Sequence, residues 1–232
     1  MKIAAQITTM IRFAQGHHIF HDVFTPAEMR GVLDHLAAAD LDGTKAGARH
    51  VLRVPVVRDL AGDARMQQMA RRFLGPTAMP FRATLFNKSQ RANWLVVWHQ
   101  DTALPLQQRN DWVEWGPWST KAGVLYAHAP ASALGQVVAL RVSLDDSLPT
   151  NGPLRVLPDT HRAGVLTGEQ IEQLARDVAP VDCLGASGSV VAMRPLTVHA
   201  SSKATSDQPR RVLHIEYAAA AELGAGIQLA VT

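Results

Sequence analysis

WLVVWHQD, residues 94–101, places an imidazole and a carboxylate two residues apart, directly behind an apolar run. Alternate side chains of a strand share a face, so a strand here turns His99 and Asp101 the same way and Gln100 the other way. Two ligating groups then converge on one point.

The composition narrows the setting. A chain of 232 residues is long enough for one good core, and no charge block or low-complexity linker divides it, so a single domain over 1–232 is expected. The formal charge is only +3 and the arginines are scattered, which is not the clustered, aromatic-interleaved pattern of a nucleic-acid surface. One cysteine, Cys183, excludes an internal disulfide and suits a reducing compartment. In MKIAAQITTMIRF, Gln6, Thr8, Thr9 and Arg12 interrupt any apolar core, and no run of membrane-spanning length follows. The expectation is a cytoplasmic protein with no membrane or nucleic-acid partner.

Helix signals come early. Thr25, Pro26 and Glu28 form a capping box ahead of Met29, Val32, Leu33 and Leu36, predicting a helix that ends near Asp40. Leu41 to Ala48 reads as a loop, Asp63 to Leu74 as a helix closed by Gly75-Pro76, and Thr167 to Asp177 as a helix with Ile171 and Leu174 on its apolar face. From Ala78 onward, β-rich runs recur at 81–86, 94–98, 123–126, 136–144, 154–157, 189–193 and 210–217. Asn151-Gly152 predicts a hairpin turn, and Gly185 to Gly188 another turn. Helices followed by many short strands predict a mainly β, α+β fold: a sandwich or barrel with the early helices packed on one sheet.

Ten histidines are present, so the His99/Asp101 pair needs a third ligand to mean much. His199, in MRPLTVHASS, follows a β-rich run a hundred positions further along. Two histidines and a carboxylate form the facial triad that holds non-haem Fe(II) with adjacent sites open. The competing readings are a histidine satisfied by hydrogen bonds near a strand end and an exposed strand terminus.

The segments WHQD, LDDSLPTNGPLRVLPDTH (144–161), the Gly185 to Gly188 turn leading into SVVAMRPLTVH, and HASSKATSDQPRRVLHIEY (199–217) occur in a specific order. Together they resemble the phytanoyl-CoA dioxygenase family of Fe(II)/2-oxoglutarate oxygenases, from about Ala78 to Tyr217. The resemblance implies a double-stranded β-helix (a cupin-like jelly roll) over about 78–218, with a helical layer over about 24–76. It implies iron held by His99, Asp101 and His199. It also implies that Arg210, eleven residues after His199, pairs with the far carboxylate of 2-oxoglutarate, with the Ser201 hydroxyl against the same group. Molecular oxygen is the other co-substrate, succinate and carbon dioxide the by-products, and hydroxylation of an unactivated C–H bond the reaction. Related halogenases carry a small residue where Asp101 stands, so the carboxylate points to hydroxylation. Family members commonly have Pro-Gly-Ser-His where this chain has Pro158-Asp159-Thr160-His161, and His161 reads as structural.

Arg210 and Arg211 face opposite ways on a strand. Arg210 shares parity with His214 and Glu216, which suits a pocket wall; Arg211 shares parity with Leu213, Ile215 and Tyr217, which suits packing against the helices. A guanidinium meets a carboxylate with two parallel charge-assisted bonds.

The remaining candidates have plainer readings beside the functional ones. His17, His18, His21 and Asp22 imitate a metal cluster but read as a solvated terminal segment. His128 either approaches the pocket or lines a loop, and Asp145-Asp146 are either a second carboxylate pair for acid/base work or, at a strand end before a Pro-containing loop, serve the turn. The loop carrying Trp112, Trp115 and Trp118 is either a lid over the metal or anchored to the body. Lys121 behind it is either solvated or the one nearby cation for an anionic substrate; Trp112, Lys121 and His214 are the candidate substrate residues. The short chain favours a small, polar or anionic small-molecule substrate over a fatty acyl-CoA. Three rivals stand beside the oxygenase: a non-catalytic cupin-like binder, a zinc hydrolase using the same donors, and an interaction module without metal.

Overall fold

The computed structural model describes residues 15–39, 41, 43–44, 47–89, 92–109 and 113–232. The amino-terminal stretch, Asp40 and Trp112 lie outside them.

The helical layer forms as its caps dictate. Helix α1, Pro26–Ala38, starts with Pro26 in its first turn; the Thr25 hydroxyl accepts from the Glu28 N–H at 3.2 Å, and the Glu28 carboxylate accepts from the Thr25 N–H at 2.7 Å. Its buried residues are Met29, Val32 and Leu36, one face at helical spacing. Helix α2, Pro55–Gly62, was not foreseen; Pro55 at its start and the spacing of the buried Val57, Leu60 and Ala61 were its signals. Helix α3, Ala64–Leu74, is capped by Asp63 and ends at Gly75, whose φ of 91° is open mainly to glycine.

Three antiparallel sheets make up the β part, so the mainly β, α+β expectation holds. The large sheet runs β1 (His17–Phe20), β12 (Val190–Met193), β9 (Val137–Ser143), β14 (Arg210–Ala218), β4 (Met79–Lys88), β3 (Gly47–Arg49) and β2 (Gly43–Thr44). The small sheet runs β11 (Val181–Cys183), β10 (Leu154–Val156), β13 (His199–Ser201) and β5 (Val96–His99). A three-stranded sheet runs β6 (Ala103–Leu106), β8 (Val124–His128) and β7 (Trp118–Lys121).

Side-chain alternation divides the large sheet into two chemistries. Leu213, Ile215 and Tyr217 of β14, with Ala83, Leu85, Val138, Leu140 and Val142, join the buried helical residues Met29, Val57 and Met66 in one cluster. This is the face that Arg211 parity assigned to the helical layer. Tyr217 also donates its hydroxyl to the Ala61 carbonyl at 2.9 Å. The opposite parity, Arg210, Val212, His214 and Glu216, faces the interior of the sandwich.

Several local expectations are corrected. Leu41 to Ala48 is not a plain loop: Gly43–Thr44 and Gly47–Arg49 extend the large sheet, using β4 as the template that no local pattern reveals. Gly47 is needed there, since a Cβ at that position would lie 1.9 Å from the Leu85 carbonyl oxygen. His17 to Phe20 is not a solvated tail but a half-buried strand paired with β12. Asn151-Gly152 is a turn but not a hairpin, because it joins β9 and β10 of different sheets. Asn151 is buried and caps that turn, accepting from the Leu148 N–H at 2.9 Å and donating to the Asp146 carbonyl at 2.8 Å. Helix α4, Gly168–Asp177, has the Thr167 cap expected of it, but Ile171 and Leu174 are only half-buried.

Tyr217→Phe should lower stability by about 1 kcal/mol and no more, because the Gln67 side chain still donates to the Ala61 carbonyl at 2.9 Å. Urea unfolding midpoints check this; a loss above about 3 kcal/mol would mean that the hydroxyl does more than join helix to sheet.

Candidate metal centre and anion pocket

Antiparallel pairing of β13 with β5 sets His199 directly opposite His99, on the side facing the large sheet. Asp101 follows β5, where its N–H is bonded to the Pro195 carbonyl at 3.0 Å. Gln100 faces away as the two-residue period requires: its amide donates to the carbonyls of Gly164 and Leu196 at 2.9 and 2.8 Å and accepts from the Leu166 N–H at 2.9 Å. The ligating atoms of His99, Asp101 and His199 lie within 4.8 Å of one another. The Asp101 oxygens are 3.8 Å from His99 Nε2 and 3.5 Å from His199 Nε2.

Both imidazoles are oriented the same way. His99 Nδ1 lies 2.8 Å from the Val97 carbonyl and His199 Nδ1 lies 2.9 Å from the Thr197 carbonyl. A carbonyl only accepts, so each Nδ1 carries the proton and each Nε2 offers its lone pair to the shared point. Burial holds the His199 pKa down to about 4 against the pull of Asp101, so the ring is neutral at pH 7. Burial raises the Asp101 pKa; His199, His214 and His99 lower it when they are protonated and Arg82 lowers it at any pH near neutrality, and the balance lies below the ordinary carboxylate value. Two imidazoles with their Nε2 atoms turned to the shared point and a carboxylate on one side, with the rest of the point open to a cleft, are a donor set that fits ferrous iron.

The inward row of the large sheet supplies the surroundings. Arg82 meets Glu216 through two bonds, one of them Nη2 to Oε1 at 2.6 Å, and also donates to the Ala103 carbonyl at 3.0 Å. Arg141 donates to His214 Nδ1 at 2.7 Å; burial, then the Arg141 charge, keeps His214 well below its ordinary pKa and uncharged. At the end of the row Arg210 and Lys88 are paired across the ladder, 3 % and 1 % exposed. Ser201 Oγ accepts from Lys88 Nζ at 2.7 Å and from Arg210 Nη2 at 3.3 Å, and gives its own proton to the Gly152 carbonyl at 2.8 Å. Lys88 also donates to the Ser202 carbonyl at 2.5 Å, and Arg210 Nε to the Asn151 carbonyl at 3.4 Å. Among the described residues no carboxylate pairs with either cation. Burial and the Arg210 charge bring the Lys88 pKa down to about 8; burial and Arg141 bring Arg210 down to about 10. Arg211, by contrast, is tied to Asp145 at 2.7 Å outside this row.

The structure therefore brings His99, Asp101 and His199 together, and groups Ser201 with Arg210. His214 and Lys121 line a cleft of about 240 Å³ together with His99 and Asp101, and His128 lines it too. Trp115 and Trp118 pack against a second apolar cluster with Leu104 and Leu106, so they anchor their loop to the body. Asp145 and Asp146 serve the turn, Asp146 accepting from the Ser187 N–H at 2.8 Å. Lys121 is not the one nearby cation: Arg49 and Arg82 line the same cleft. Those two, with Lys88 and Arg141, were missed. Arg141 was visible as a lone charge inside the apolar run VVALRVS, and Arg82 and Lys88 as polar members of one parity along β4.

Comparison with known proteins agrees with this geometry. The family model described as phytanoyl-CoA dioxygenase (PhyH) matches residues 34–212. Among solved structures, EctD from S. alaskensis with 2-oxoglutarate and 5-hydroxyectoine superposes with a TM-score of 0.67 at 22% identity, covering 90% of this chain and 73% of that one. AviO1 from Streptomyces viridochromogenes Tue57 gives 0.64 at 20% identity, covering 91% and 94%. HygX from Streptomyces hygroscopicus with nickel and 2-oxoglutarate bound gives 0.63 at 18%, covering 88% and 83%. These likenesses establish the double-stranded β-helix fold. No curated protein matches the sequence. With the model spanning most of its length, the chain belongs to the phytanoyl-CoA dioxygenase family.

Proposed function

We propose that this protein is an Fe(II)- and 2-oxoglutarate-dependent dioxygenase that hydroxylates an unactivated C–H bond of a small molecule. His99, Asp101 and His199 would hold the iron, and Arg210 would anchor the far carboxylate of 2-oxoglutarate. The observation that carries this reading is the carboxylate-free cation pair Arg210/Lys88, buried beside the metal strand. Two buried positive charges without a counter-ion are costly, and an acidic ligand removes that cost. A zinc hydrolase or an interaction module has no use for them.

Each residue then has a defined task. Iron held there would supply the redox chemistry that couples oxygen and 2-oxoglutarate to hydroxylation, with succinate and carbon dioxide as by-products. Asp101 stays ionised and completes the facial triad, and the two Nδ1–H bonds keep both Nε2 atoms aimed inward. Arg210 meets the carboxylate as a fork, Lys88 adds a point charge, and Ser201 holds the two cations in register. His214, neutral and held by Arg141, walls the space between the anchor and the metal. The anchored loop and the inner row limit water around the reacting carbon.

His199→Ala should abolish tight Fe(II) binding, because two ligands hold an ion poorly. Unchanged calorimetric affinity would remove His199 from the site. Arg210→Ala should weaken 2-oxoglutarate by about 2–5 kcal/mol, whereas Arg211→Ala, whose partner is Asp145, should change it by less than about 0.5 kcal/mol. Equal losses would contradict the division of the two faces. Succinate formation from 2-oxoglutarate, stimulated by a candidate substrate and absent in both damaging variants, tests the activity itself.

Lys88 gives a separate prediction with opposite signs. Its folded pKa of about 8 lies below the value of about 10.4 in an unfolded chain, so between those values the unfolded chain binds more protons and stability rises with pH. Lys88→Met should therefore stabilise the ligand-free protein by about 1–2 kcal/mol at pH 7, a gain that shrinks toward pH 10, while weakening 2-oxoglutarate. Urea midpoints at both pH values and a co-substrate titration check this. A variant that is destabilised at pH 7 would mean that Lys88 is a structural donor to Ser201 and Ser202.

A further inference from the structure

The cleft over the metal side chains holds more positive charge than its own carboxylates balance. Three cationic side chains line it, Arg49, Arg82 and Lys121, against Asp101 and Glu216. Arg82 is matched by Glu216 in a two-bond pair, and Asp101 sits between the two histidines. Arg49 and Lys121 remain, and among the described residues neither has a carboxylate partner.

They reach the cleft from separate sheets. Arg49 is the last residue of β3 in the large sheet, and Lys121 the last residue of β7 in the three-stranded one. Hydrogen bonds join these walls: Arg82 of β4 donates to the Ala103 carbonyl of β6, and His50, the residue after Arg49, is buried with its Nε2 2.9 Å from the Tyr126 hydroxyl of β8. Tyr126 is itself buried, and its ring carries the Lys121 ammonium at 5.1 Å and the Arg82 guanidinium at 5.5 Å. The like charges are thus gathered by a fixed framework. Burial, then Arg49 and Arg82, depress the Lys121 pKa, the sign expected of cations crowded without a counter-ion.

We infer that the mouth of the metal cleft is a second anion site, in which Arg49 and Lys121 hold the carboxylate or phosphate of an acidic prime substrate above His99, Asp101 and His199. It rests on the oxygenase reading only for the word substrate. The fork of Arg49 supplies two parallel donors, and Lys121, steadied on the Tyr126 ring, supplies a compact charge from the opposite wall. A volume of about 240 Å³ suits a small metabolite whose acidic end is fixed at the mouth and whose carbon skeleton points at the metal. Arg210 and Lys88 would serve the co-substrate at the other end of the inner row, so the two anions would not compete for one anchor.

The test is anaerobic calorimetry on the full chain loaded with Fe(II) and 2-oxoglutarate, titrated with matched probes: butyrate against butyramide, L-proline against L-prolinamide, and glycerol 3-phosphate against glycerol. At least one acid should bind about tenfold or more tighter than its neutral partner, with a preference that weakens as salt is added. The carboxylate and phosphate pairs show which anion fits. Arg49→Gln with Lys121→Gln should erase the preference while 2-oxoglutarate affinity stays within about twofold. The single variant Arg49→Gln, at an exposed position, serves if the double variant does not fold. No acid preference in the wild type, or a preference that survives the substitutions, overturns the inference. If the wild type fails to bind 2-oxoglutarate, the oxygenase reading falls, and the same pairs titrated into the iron-free chain still decide the anion site.

Discussion

Arg210 and Lys88 stand opposite each other across the β4–β14 ladder, both buried, with no carboxylate between them. Two desolvated like charges at this distance oppose folding, and neutral acceptors (the Ser201 hydroxyl and the carbonyls of Asn151 and Ser202) offset only part of that. The rest of the molecule has to supply the difference. It does so on the other side of the same strands, where Leu213, Ile215 and Tyr217 bury against α1 to α3. A sheet with one apolar face sealed by helices can tolerate a charged face toward its own interior.

The inner row is also graded along its length. Arg82 with Glu216 is a balanced pair, His214 with Arg141 carries one charge, and Lys88 with Arg210 carries two. Along this row alone, net positive charge therefore increases from Arg82/Glu216 toward the Lys88/Arg210 end, while Arg49 and Lys121 add separate charge at the cleft mouth. A dianion bound in this space, as the proposed co-substrate would be, would find its deeper counter-charge at Lys88 and Arg210.

Much of this was legible because it depends on periods of two and on local caps. His99 and Asp101, Arg210 against Arg211, and the Thr25 and Thr167 caps are decided within a few residues of each position. What was hidden depends on partners far along the chain. Gly43 to Arg49 reads as a loop because its strand character is lent by β4, and His17 to Phe20 by β12. Arg49 could not be assigned to the site because the His50–Tyr126 bond that brings it there spans distant segments. Asn151-Gly152 carries the residue pair of a hairpin, yet the strands beside it pair elsewhere; turn chemistry fixes a local bend and not the partner of the strands it joins.

Gln100, the residue between the two ligating positions, makes three hydrogen bonds to the backbones of two separate segments, at Gly164, Leu166 and Leu196. Rotating the peptide units beside it to swing His99 or Asp101 off the shared point would break all three at once. The entropy of ordering the imidazole and the carboxylate is thereby lost when the chain folds rather than when an ion arrives. A cation bound at that point would gain its coordination bonds with little conformational penalty, and a ligand set that does not rearrange would accommodate ions of similar size with similar geometry. Discrimination between such ions falls to their availability and to the chemistry each can perform once in place.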